Sequence, residues 1–181
     1  MKIAISGASS VGKTTLLNEI EKENKGFEDH ILIREVVRSL MAKGVKINKG
    51  ADHESQCRIL QAHYDNILSH KNFITDRCAV DAFVYATWDY LNGNYSFKEH
   101  KEHEQIFLSC LNSYTHFFYL KPEFAIVPDG VRDIDVNYQS EIHRLFEVVF
   151  EKYSIKPIYL TGSVEERFTW FLLNITNSKL I

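Results

Sequence analysis

Gly7-Ala8-Ser9-Ser10-Val11-Gly12-Lys13-Thr14 fills the pattern Gly-x-x-x-x-Gly-Lys-[Ser/Thr] without a substitution. Its flanks decide its meaning. Met1-Lys2-Ile3-Ala4-Ile5-Ser6 reads as a short buried strand, and Thr14-Thr15-Leu16-Leu17-Asn18-Glu19-Ile20-Glu21 as the start of a helix. Strand, glycine-rich turn and helix is the context in which backbone N–H groups converge on an anion, with the helix N-terminus adding partial positive charge. The stretch therefore reads as a phosphate-binding loop. Gly7, Ser9, Ser10, Val11, Gly12, Lys13, Thr14 and Thr15 are the residues expected to hold a nucleotide there.

Outward from the loop, four further apolar runs stand out, at 30–34, 72–75, 115–120 and 156–161. Like 2–6 they are continuous and not alternating, as in strands buried on both faces of a parallel sheet. Helical patterns lie between them at 14–24, 35–43, 53–70, 79–92, 98–113 and 138–153, with a last one from 163. Alternation of this kind predicts a doubly wound, three-layer α/β sandwich. With 181 residues and no repeat or linker, the chain reads as a single domain over 1–181. Such folds bind ligands beyond the carboxyl ends of the strands, so the residues just past each run are the site candidates.

Lys13 is placed to reach the β- and γ-phosphates, and the Thr14 hydroxyl to ligate Mg²⁺. After the second run come Arg34, Glu35 and Arg38. A carboxylate at that strand tip can take a proton from an attacking hydroxyl, and the arginines can bind an anionic acceptor. After the third run, Asp76 fits the metal-side carboxylate that partners the loop threonine, and Arg77 can reach a substrate or phosphate. In the next helix Val80, Phe83, Val84, Thr87, Trp88 and Leu91 form an apolar stripe that reads as core. Asp81 lies off that stripe, exposed or facing the cleft, with Tyr85 on the same side. Residues 121–137, with Pro122, Pro128, Gly130, Arg132 and Asp133, read as a lid whose Arg132 can close over the transferring group, Arg144 being a second choice. Ser163 and Glu166 form a capping box after the last run, and Gly162-Ser163 is the turn that packs on adenine in nucleotide kinases.

Composition narrows the class. Apolar residues at 45% and charged residues at 25% indicate a globular chain, and a net charge of -3 offers no basic footprint for nucleic acid. No apolar run approaches the ~18 residues that span a membrane. Residues 1–6 are too short for a leader's apolar core, so the expected location is the cytoplasm. Cys57, Cys78 and Cys110 are widely spaced and read as reduced core thiols. His100 and His103, with Glu102 and Glu104, can be drawn as a metal site but read more simply as a solvated charged helix face.

Taken together, the loop at 7–14, Arg-Glu-x-x-Arg at 34–38, Thr-Asp-Arg at 75–77 with Asp81 and Tyr85-Ala86, Asp-Gly-Val-Arg-Asp at 129–133 and Gly-Ser-x-Glu-Glu-Arg at 162–167 give the chain a family likeness. It resembles the P-loop kinase/ATPase family typified by the nicotinamide-riboside kinase domain of bacterial NAD metabolism. The resemblance implies a five-stranded parallel sheet in the order 2-3-1-4-5, ATP and Mg²⁺ as donor and metal, Glu35 or Asp76 as base or metal-side carboxylate, and Arg132 as a lid residue. Asp76-Arg77 is also similar to the Asp-Arg pair of thymidylate kinases, where the arginine holds the acceptor phosphate.

The leading expectation is a kinase that moves the γ-phosphoryl group of ATP to a hydroxyl of a nucleoside-like molecule. A nucleoside monophosphate kinase shares the donor site and needs extra arginines, which Arg34, Arg38 and Arg77 could supply. A modified base in DNA is a third acceptor, disfavoured by the acidic charge. A reading from another class is an ATPase switch that binds a protein partner. The guanine-reading Asn-Lys-x-Asp pattern is absent, which favours ATP over GTP. Oligomeric state stays open, a homodimer included.

Overall fold

Ile3, Ala4 and Ile5 have no exposed surface, because the first strand, β1 (Lys2–Ser6), runs down the middle of the sheet. The computed structural model describes residues 1–23, 26–34, 36–42, 44–45, 51–124 and 135–177, the side chains of Arg38 and Asn177 excepted. In chain order the elements are β1, α1 (Lys13–Glu23), β2 (Ile31–Ile33), α2 (Val36–Met41), α3 (His53–Ser69), β3 (Phe73–Asp76), α4 (Ala79–Leu91), α5 (Phe97–Leu111), β4 (His116–Leu120), α6 (Val136–Lys152), β5 (Ile158–Leu160) and α7 (Val164–Asn177). The five strands pair in parallel in the order β2-β3-β1-β4-β5. This is the order that the family resemblance implies.

Continuous apolar strands follow from burial on both faces. β1 and β3 are central and, Lys2 apart, buried throughout, whereas Ile31 of β2 and Tyr159 of β5, the edge strands, are exposed. α1 packs against α7, while α3, α4, α5 and α6 pack among themselves, giving helical layers on either side of the sheet. Phe83, Phe107, Phe118, Phe146 and Phe171 are fully buried between those layers, each contributing roughly 1.5–3 kcal/mol. The register pairs Ile5 with Asp76 and with Phe118. Ser6, Asp76 and Leu120 thus finish at one edge of the sheet.

Helix ends are fixed by side chains. The Asp52 carboxylate accepts from Ser55 N at 2.9 Å, Ser96 and Glu99 form a capping box, and Asp135 accepts from Asn137 N and Tyr138 N. Ser163 N donates to Glu166 Oε2 at 2.7 Å and Glu166 N to Ser163 Oγ at 3.2 Å, completing the box expected there.

Two expectations need correction. Leu91, assigned to the core stripe of α4, is exposed, because it is the helix's last residue and projects past the packed layer. The charged face expected around His100 and His103 is a buried face. His100 stacks between Phe83 and Tyr90, with ring centroids 5.3 and 4.5 Å away, and His103 is fully buried. Glu104, also buried, is neutralised by Lys101, Lys152 and Tyr153. His100, His103, Phe107 and Cys110 recur at helical spacing, and that periodicity outranks residue type here. Cys78 and Cys110 are buried free thiols and Cys57 is half-buried. Among the described residues no helix is long and apolar enough to cross a membrane.

Burial makes stability sensitive to acid. His63 and His103 are both pulled down to about 4 by burial, Arg77 adding to the effect at His63 and the His53 and His100 charges at His103. A histidine that titrates near 6.5 when unfolded then contributes stability that is complete above that pH and lost as pH falls towards the folded value. The melting temperature is expected to be level above pH 7 and to fall between about pH 6.5 and 5, before most carboxylates titrate. A profile flat down to pH 5 contradicts this account of the two imidazoles.

Candidate active site

The loop between β1 and α1 is shaped by backbone that only certain residues accept. Gly7 has φ 144°, and a Cβ there would lie 2.6 Å from the Leu120 carbonyl oxygen at the end of β4. Gly12 has φ 90°, and Ser10 is held at φ 60°. Two side chains from distant helices grip the loop from outside. Gln139 of α6 donates to the Ser9 carbonyl at 2.6 Å, and Arg167 of α7 to the Val11 carbonyl at 2.6 Å. In a planar trans peptide the next N–H points opposite to the carbonyl. The Ser10 and Gly12 N–H groups are therefore turned away from these helices. The Ser10 hydroxyl is buried and has no hydrogen-bond partner among the described residues. Lys13, the first residue of α1, is buried, and its ammonium donates to the Gly7 and Ala8 carbonyls at 2.9 and 2.6 Å.

β3 delivers the opposite wall. The Thr14 hydroxyl donates to Asp76 Oδ2 at 2.8 Å, bringing together the two residues expected to serve the metal. Asp76 is buried beside Ile5 in the β1–β3 register. Arg77 then leaves the strand with φ 71°, an unusual conformation for a side chain of this size. Its N–H still donates to the Ile5 carbonyl at 3.0 Å, and its guanidinium reaches back to the Gly7 carbonyl at 3.4 Å and Asp81 Oδ1 at 3.5 Å. Tyr85 lies under the guanidinium, 5.3 Å from ring centroid to Cζ. Burial works against the Arg77 charge, but Tyr85, Asp81 and Asp76 outweigh it and raise its pKa.

Asp81, expected to be exposed or to face the cleft, is fully buried, which removes the exposed alternative. Its carboxylate accepts from Ser6 Oγ at 2.7 Å, Cys78 N at 3.0 Å and Gly7 N at 3.3 Å. It thereby caps α4 and fastens that helix to the start of the phosphate loop. Arg34 donates instead to Asn18 Oδ1 at 2.7 Å and pairs with Glu21 at 2.6 Å, both on α1. Gly162 N donates to Glu123 Oε2 at 3.0 Å, and the same carboxylate oxygen takes Arg167 at 2.6 Å. Glu35, Arg132 and the Arg38 side chain lie outside the described residues, as do residues 125–134 of the expected lid.

Sequence reasoning missed Arg167 and Gln139 as loop supports. Arg167 stood in the Gly-Ser-x-Glu-Glu-Arg stretch without a role; it is 2% exposed, so it must have partners, but its loop contact lies 156 positions away. No local signal marks Gln139.

The arrangement offers an ammonium, a guanidinium and turned N–H groups for an anion, plus a hydroxyl–carboxylate oxygen pair suited to a hard cation. Residues 2–167 match the model of a family described as an AAA domain. No curated protein matches the sequence. Among solved structures, the chain is similar to a NadR protein in complex with NAD and AMP-PNP, with a TM-score of 0.69 and 15% identity over 96% of this chain and 48% of that one. It is similar to a deoxyadenosine kinase from M. mycoides, with dCMP and dCDP bound, at a TM-score of 0.68 and 18% identity over 100% of both chains. A thymidylate kinase from Candida albicans gives 0.63 and 12% over 98% of this chain and 91% of that one. The chain spans about half the length of the NadR structures. Likeness at these identities is likeness of fold.

Proposed function

This chain belongs to the AAA domain family, and we propose that it is a kinase that uses ATP and Mg²⁺ to phosphorylate a hydroxyl of a nucleoside-like small molecule. The observation that carries the reading is the 2.8 Å contact of Thr14 with Asp76 beside the loop that holds Lys13. A hydroxyl and a carboxylate oxygen at that spacing fit Mg²⁺, which takes oxygen ligands. Mg²⁺, when bound, neutralises charge on the β- and γ-phosphate oxygens. The unpartnered Ser10 hydroxyl and the turned N–H groups of the loop fit the phosphates themselves.

The acceptor oxygen attacks the γ-phosphorus as the bond to the β–γ bridging oxygen breaks, and ADP leaves. Glu35 accepts the acceptor's proton. Lys13 exchanges its loop carbonyls for phosphoryl oxygens, and Arg77, held by Asp81 and Tyr85, faces the transferring group. Residues 121–137 act as a lid over this single kinase domain, with Arg132 closing on the phosphoryl oxygens and excluding water. Gly162 and Ser163 lie against the adenine, and Arg38 and Tyr85 border the acceptor, with Asp81 buried and holding Arg77. Arg34 is occupied by Asn18 and Glu21 on α1. That weakens the case for an acceptor that already carries a phosphate and favours a nucleoside.

The test is ADP formation from Mg-ATP across a panel of nucleosides and their monophosphates. One nucleoside is expected to accelerate it, and Glu35→Gln to slow that reaction by about 100-fold or more. A panel in which no acceptor raises turnover rejects the kinase reading. A Glu35→Gln protein at full rate rejects Glu35 as the base.

A further inference from the structure

Away from the strand ends, α3 and α5 bring three metal-ligating side chains together. His53 and Cys57 are four residues apart and share one face of α3. His103 comes from the buried face of α5. His53 Nδ1 lies 3.0 Å from His103 Nε2, and Cys57 Sγ lies 3.8 Å from His53 Nδ1. The three ligand atoms fall within 4.8 Å of one another. We propose that His53, Cys57 and His103 form a Zn²⁺ site that joins α3 to α5, with solvent in the fourth position.

Tetrahedral zinc with Zn–N of about 2.0 Å and Zn–S of about 2.3 Å places its nitrogens roughly 3.3 Å apart and nitrogen and sulfur roughly 3.5 Å apart. The two distances from His53 differ from these by a few tenths of an ångström. Cys57 is half-buried and can move the remainder of the way towards His103. A second observation points the same way. Glu102 Oε2 lies 3.1 Å from His53 Nε2, while Cys57 Sγ lies 3.8 Å from both ring nitrogens of His53. A carboxylate there accepts a hydrogen bond from Nε2–H and leaves Nδ1, 3.0 Å from His103 Nε2, as the ring's ligand atom, the arrangement that orients metal-bound histidines. His103 is pulled down to about 4 by burial, so its ring is neutral at ordinary pH. Burial, with Glu102 and Glu99 nearby, pushes the Cys57 thiol up, so the metal displaces a proton there. Two imidazoles and a thiolate select zinc over the hard cation suited to Thr14 and Asp76. The site draws His103 out of the His100–His103 pairing that α5 suggests on its own, since His100 is enclosed by Phe83 and Tyr90.

The competing arrangement is a plain hydrogen bond between the two imidazoles, and metal titration separates the two. Tag-free protein is stripped with chelator, dialysed, and titrated with zinc chloride, with cobalt chloride in parallel as a spectroscopic probe. The expected result is one ion per chain, a thiolate-to-cobalt charge-transfer band, and protection of Cys57 from a thiol reagent by zinc; Cys78 and Cys110 are buried and do not contribute. Cys57→Ser and His53→Asn change partly exposed side chains. Each is expected to abolish the charge-transfer band or weaken zinc binding at least about 100-fold while keeping the wild-type circular dichroism spectrum. No bound zinc, a cobalt complex lacking the thiolate band, or unchanged affinity in both variants overturns the site. No nucleotide is present in any arm, so the outcome is independent of the kinase reading.

Discussion

Lys13→Met is expected to lower phosphoryl transfer by about 1000-fold while leaving a folded protein. The ammonium is the fixed cation at the floor of the loop, buried and resting on the Gly7 and Ala8 carbonyls at 2.9 and 2.6 Å. Neutral carbonyls are weaker partners than phosphate oxygens, so under the proposed function the group exchanges them when a triphosphate enters. Charge on the transferring group is then met by a donor already in place, and removing one such donor costs about 100- to 1000-fold in rate. A 1000-fold loss corresponds to about 4 kcal/mol in the barrier. Methionine fills the space of the lysine stem and sacrifices two hydrogen bonds to the loop, each worth about 1 kcal/mol. Urea unfolding therefore shifts modestly and separates lost chemistry from lost structure. Turnover at saturating acceptor is the measurement, and a methionine protein that keeps more than a tenth of the rate removes Lys13 from the phosphate site.

The parts of this site that were legible in the sequence are those fixed by local geometry. The phosphate loop needs glycines where φ is positive, and Gly7 and Gly12 supply them. The strands differ from their expected spans by at most two residues at either end, because buried parallel strands are short apolar runs with few competing readings. The Thr14–Asp76 contact joins residues 62 positions apart, yet a rule about strand tips sufficed to pair them. Asp81 is buried and not exposed for a physical reason. The stripe of α4 identifies what faces the core, but a first-turn carboxylate answers to the helix N-terminus and to Ser6 and Gly7 across the sheet. The helix α5 lies where its pattern places it, but its His100–His103 face is buried and not solvated, because helical spacing outranks polarity there and stacking on Phe83 and Tyr90 buries His100. Arg167 and Gln139 bind loop carbonyls 156 and 130 positions away, and no local pattern encodes such a contact.

Asp81→Ala should cost about 3–5 kcal/mol of folding stability, the largest loss expected from a single substitution around the loop. The carboxylate is 1% exposed and collects the Ser6 hydroxyl and the Gly7 and Cys78 N–H groups while lying 3.5 Å from the Arg77 guanidinium. Alanine leaves those donors buried without an acceptor and strands the Arg77 charge beside them. Asparagine keeps the shape and one acceptor oxygen, and so should fall between alanine and wild type. Total stability of a domain is about 5–15 kcal/mol, so the alanine protein is marginal at ordinary temperature. Urea unfolding of the single substitutions Asp81→Ala and Arg77→Met and of the double substitution measures the coupling. If the ion contact matters as argued, the double substitution costs less than the sum of the two singles by at least about 1 kcal/mol. A loss under 1 kcal/mol for Asp81→Ala contradicts this account of the network. A large loss with strictly additive partners assigns the stability to the Ser6, Gly7 and Cys78 hydrogen bonds and leaves Arg77 free to turn towards a ligand. Either result bears on the donor site, because Asp81 is the link through which α4 holds the first residue of the phosphate loop in place.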